Sequence, residues 1–82
     1  MSRLEKHIAE YAKAIEDMDW GRRSLFHREL CEHLGIAHDE LRPFESFSFG
    51  AGYSHTPSRA EAAMLIRAAI DKLKERRAEA KP

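Results

Sequence analysis

The sequence predicts a mostly α fold: a helical hairpin, a short extended segment or small hairpin, then one long C-terminal helix. Three observations carry this. Apolar residues recur every three or four positions from Leu4 to Leu34. Residues 46–54 switch to a period of two. A capping signal at Thr56–Glu61 then opens a third helical stripe that runs to Leu73.

The first helix spans Ser2 to Met18. Leu4, Ile8, Tyr11, Ile15 and Met18 form its apolar stripe, and Glu5, Lys6, Glu10 and Lys13 occupy the solvated side. Asp17, Asp19 and Gly21 interrupt the pattern, and Asp19 suits the N-cap of a second helix that runs to Leu34. Phe26, Leu30 and Leu34 line up four apart, with Leu25 beside them. Gly35 stands where a left-handed C-cap residue belongs. Trp20 lies at the hairpin turn and is expected to pack between the two helices.

In the third segment Phe47, Phe49, Ala51 and Tyr53 fall on one side, and Ser and Gly on the other. It reads as an extended strand, or as a small hairpin turning at Gly50-Ala51-Gly52. The last helix starts either with Thr56 as cap and Pro57 in the first turn, or with a Ser58/Glu61 capping box. It continues to about Glu79. Ala62, Leu65, Ile66, Ala69, Ile70 and Leu73 are its buried face. Residues 75–82 carry no further apolar stripe and are expected to project into solvent or fray.

The chain of 82 residues forms one domain, residues 1–82. Fourteen Lys+Arg balance fourteen Asp+Glu, so no net charge directs it to nucleic acid or to a membrane surface. A hydrophobic fraction of 43% is too high for a disordered chain. No uncharged stretch is apolar enough for a membrane span or a signal peptide, and one cysteine excludes an internal disulfide. The expected location is cytoplasmic. So small a chain has a thin core, and chains of this size often gain stability by oligomerising. A lone strand would also leave its backbone groups unpaired. A homodimer follows, paired through the extended segment or the long helix.

Four constellations bear on chemistry. Cys31, Leu34, Gly35, Ile36, Leu41 and Phe44 match the small, apolar, glycine and apolar positions of a pattern that resembles the helix-turn-helix of DNA-binding regulators. That resemblance implies a recognition helix from His38 onward, with Arg28, His38 and Arg42 contacting DNA. Pro43 would end this helix after Arg42, and residues 21–42 hold four basic and four acidic side chains, whereas phosphate contacts want Lys and Arg. The plainer reading is a helix closed by a Gly cap and a short turn.

His27, Cys31, His33 and His38 are zinc-ligand types, but their spacing matches no zinc motif. They read as a buried free cysteine among surface histidines, with no metal and no cofactor. The run from Gly50 to Arg59 brings two glycines, several hydroxyls, His55 and Arg59 to a helix N-terminus. That chemistry suits a small anion such as a nucleotide, although no Walker or dinucleotide fingerprint occurs. Residues 59–82 hold seven Lys/Arg against four Asp/Glu, interleaved at helical spacing as a solvated face.

No nucleophile sits in an activating context, so no catalytic residue is assigned and the chain is not expected to be an enzyme. The leading expectation is a non-catalytic regulatory or inhibitory binding protein that acts through a protein surface. Phe47, Phe49, Tyr53, His55, Ser58 and Arg59 are its contact residues, because aromatics and Arg dominate interfaces. A helix-turn-helix DNA-binding regulator and a binder of a small anionic ligand at residues 50–59 are the alternatives.

Overall fold

The computed structural model describes residues 2–45 and 57–80. Among them are four α-helices, α1 (Arg3–Glu16), α2 (Trp20–Leu34), α3 (His38–Leu41) and α4 (Arg59–Ala80), with a single 3₁₀ turn at Arg42–Phe44. The predicted hairpin and long last helix are both present, and no strand occurs among the described residues. The alternating segment 46–54 lies outside them, and so does the choice between strand and small hairpin. No described helix is long and apolar enough to cross a membrane.

Each helix start has a local cause. Ser2 Oγ accepts the Glu5 N–H at 3.1 Å, and Asp19 Oδ1 accepts the Arg22 N–H at 3.0 Å. At α4 the alternative starts resolve in favour of Ser58. Its Oγ accepts the Glu61 N–H at 3.2 Å and donates to Glu61 Oε1 at 3.3 Å.

Helices α1 and α2 end alike. In α2, Gly35 takes a left-handed φ of 70°, the Gly35 N–H bonds the Glu32 carbonyl, and the Ile36 N–H bonds the Cys31 carbonyl. In α1 the left-handed position falls to Met18, at φ 55°, with matching bonds from Met18 to Ile15 and from Asp19 to Ala14. This is the Schellman closure in both cases. It also corrects the expected stripe: Met18 is 57% exposed, because it forms the turn rather than continuing the helix.

The core joins Ile8, Tyr11, Ala12 and Ile15 of α1 to Leu30 and Cys31 of α2, Leu41 of α3, and Ala62, Ile66, Ala69, Ile70 and Leu73 of α4. Helix α1 packs on both α2 and α4, so it is the central element. The predicted α4 face is buried as expected, with Leu65 half-buried at its edge. Past Leu73 the side chains up to Glu79 are exposed, and Arg77 Nη2 meets Glu40 Oε2 at 2.6 Å, which ties α4 to α3.

Candidate functional site: a buried polar cluster on α2

After Gly35 reverses the chain, α3 and the 3₁₀ turn carry it back over the bundle, anchored by fully buried Leu41. Pro43 fits that turn, where a missing N–H does no harm. The Glu45 N–H closes it on the Arg42 carbonyl at 3.1 Å. This return delivers the Glu45 side chain, 8% exposed, against α1 and α2.

There Glu45 Oε2 accepts the Tyr11 hydroxyl at 3.1 Å. Glu45 Oε1 lies 2.9 Å from His27 Nε2. Oε1 is fully buried and forms no aligned hydrogen bond among the described residues, that ring nitrogen being its close polar contact. A buried polar atom left in this way costs about 1–3 kcal/mol. His27 Nε2 also lies 4.0 Å from Cys31 Sγ, one turn along α2, and the His27 and Tyr11 rings meet edge-on at 5.4 Å. Four polar or weakly polar side chains from three parts of the chain thus converge in the core.

The environment holds two of them neutral. Burial, then the nearby Glu45, raises the Tyr11 phenol well above its ordinary value, with Arg23 working the other way. Burial, again followed by Glu45, pushes the Cys31 thiol up to about 11. A thiol so placed is a packing group rather than a nucleophile at neutral pH.

The cluster opens outward. A recess of about 180 Å³ is lined by Tyr11, Arg23, Ser24, His27, Arg42 and Glu45. At its outer side Arg23 stacks over Trp20, with Cζ 5.4 Å from the ring centroid. Trp20 is 53% exposed, which corrects the expectation that it packs between the helices. It is the first residue of α2, at the turn end of the hairpin, where the chain has only just left the α1–α2 connection.

The sequence-predicted residues fall elsewhere. Phe47, Phe49, Tyr53 and His55 lie outside the described residues. Ser58 caps α4. The Arg59 N–H donates to Glu16 Oε2 at 2.8 Å, and its Nε lies 3.7 Å from Glu16 Oε1. A carboxylate of the chain itself therefore takes the N-terminus of α4, where the alternative reading placed a small anionic ligand.

Arg28 and His38 are exposed on α2 and α3, and Arg42 lines the recess. Helix α3 is a single turn of four residues, and its Glu40 is held by Arg77 and by the Ala37 N–H. Of the zinc-type residues, His27 and Cys31 meet, while the His33 ring pairs with His7 at 5.0 Å. Among the described residues no three such groups are arranged to hold a metal. His27 is 4% exposed, against its reading as a surface histidine.

Sequence reasoning missed Glu45 and Arg23 entirely and took Tyr11 as an apolar stripe residue. For His27 a signal existed: it sits three and seven residues before Leu30 and Leu34, on the apolar face of α2. Glu45 had no such signal, because its partners lie 34 and 18 positions away. No protein-family model, curated protein or solved structure matches the chain.

Proposed function

We propose that the chain is a small non-catalytic binding protein, regulatory or inhibitory, that acts through a protein–protein surface centred on Trp20 and Arg23. The observation that supports this is the half-exposed Trp20 ring stacked by the Arg23 guanidinium. Trp and Arg are the residue types most enriched among interface hot spots, and a Trp left in water loses burial that a partner restores. Met18 and Leu25, 57% and 47% exposed, flank Trp20 in sequence. The partner includes, as one case, a second copy of the chain. The DNA-binding alternative ranks below, because α3 offers one turn with two acidic side chains in it.

The test is a photo-crosslinking amino acid placed at position 20, compared with one at exposed Lys72, in cells that express the chain natively. The expected result is a discrete protein adduct at 20 that is missing at 72; an adduct of the chain's own mass identifies a homodimer. Adducts to nucleic acid, or equal adducts at both positions, would overturn the reading.

A further inference from the structure

We propose that His7 of α1 and His33 of α2 form a two-histidine site for zinc or a similar divalent transition-metal ion, with water completing its shell. The pair joins the two helices near the end of the hairpin away from Trp20. The site is therefore separate from the protein-binding surface. No third protein ligand stands in place among the described residues, so the bound ion would exchange readily.

The first support is geometry. The two rings meet across the α1–α2 contact with centroids 5.0 Å apart and planes tilted by 39°. Two imidazoles on one tetrahedral ion, with metal–nitrogen bonds of about 2.0–2.1 Å, hold their centroids at about this separation. The last torsion of a histidine is broad, so either ring can turn a nitrogen to the shared point. The second is access. His33 is exposed and His7 half-buried, and both line an open groove of about 550 Å³. The third is charge. Glu10, Glu29 and Glu32 line the same groove, and none of them makes an ion pair among the described residues. Arg3 and Lys6 stand against them, so carboxylates outnumber cations and favour a small cation over an anion. Glu10 lies three residues after His7, and Glu29 four before His33, one helical turn in each case. Carboxylates so placed are suited to accept hydrogen bonds from metal-bound water. Imidazole nitrogens select zinc, nickel and copper, whereas magnesium and calcium take oxygen ligands.

The test is isothermal titration of the untagged full chain at neutral pH with zinc chloride and, separately, magnesium chloride. The parent is compared with His7→Gln, His33→Gln and His38→Gln, with circular dichroism confirming that each keeps its helices. Saturable binding of zinc at one ion per chain is expected, without matching binding of magnesium. His7→Gln and His33→Gln should each weaken zinc by about tenfold or more. His38→Gln, at an exposed position on α3, should leave it unchanged. An ion that bridges two helices exists only in the folded chain, so zinc should also raise the urea midpoint of the parent and not that of His33→Gln. The proposal is overturned if zinc fails to bind saturably at millimolar concentration, if magnesium binds as tightly, or if folded His33→Gln binds zinc as tightly as the parent.

Discussion

Helix α4 buries Ala62, Ile66, Ala69, Ile70 and Leu73, whereas α2 buries His27, Leu30 and Cys31. Both faces pack on α1, and both belong to one core. The α4 side is dry: every buried group there gains by leaving water, and none needs a partner. The α2 side takes in an imidazole and, from a distant turn, a carboxyl group. Those groups gain only by meeting one another, and Oε1 of Glu45 is left over. A fold that wanted stability alone would place leucines there, since well-packed apolar replacements of buried polar pairs are often neutral or stabilising. The contrast teaches that the two halves of one core are built differently, by apolar packing on α4 and by polar groups meeting one another on α2.

The contrast is broken most strongly on the dry side. Ile66, with no exposure, is expected to lose about 2–5 kcal/mol on Ile66→Ala through lost burial and a cavity. In a chain of this size each kcal/mol moves the melting temperature by about 4–8 °C. A urea titration showing a loss below about 1 kcal/mol would mean that α4 does not carry the fold.

On the polar side, Tyr11→Phe takes the hydroxyl from Glu45 Oε2 and is expected to cost about 1–3 kcal/mol at neutral pH. It also carries a pH signature. The folded chain holds the Tyr11 phenol and the Cys31 thiol protonated above their ordinary values. In alkaline solution the unfolded chain therefore loses those protons first. Stability is intact below the ordinary thiol and phenol ranges and falls as pH rises through them, from about 8 upward. Tyr11→Phe should flatten the upper part of that fall. Parallel alkaline profiles for the variant and the parent would contradict the burial of an acidic phenol here.

The smallest effect belongs to the two helix ends. Gly35 and Met18 occupy the same left-handed closure, and only glycine does so without strain. Met18→Gly is expected to raise stability by up to about 1 kcal/mol, read as a higher denaturation midpoint at unchanged slope. A fall would show that the exposed Met18 side chain contributes more than its backbone strain removes.

Much of the helical framework was legible. The α4 stripe, the Asp19 and Ser58 caps and the Gly35 closure rest on contacts three or four residues apart, and periodicity reports such contacts directly. Met18 misled because its spacing continues the α1 stripe while its φ ends the helix. Trp20 misled because a large apolar residue is expected inside, yet its place at the start of α2 leaves it in solvent. The polar half was hidden for another reason. Tyr11, His27 and Glu45 are joined by tertiary packing across 16 to 34 residues, and no local pattern encodes which buried polar groups will meet.

The central claim is that the Tyr11–His27–Glu45 cluster does not hold the fold together. Its most direct test is the stability of the triple variant Tyr11→Phe/His27→Leu/Glu45→Met, measured by urea denaturation beside the parent and Tyr11→Phe. The account predicts a variant at least as stable as the parent, with the single change weaker than both, because no buried polar group then lacks a partner. A triple variant less stable than Tyr11→Phe would show that the cluster holds the fold together, and would contradict the account.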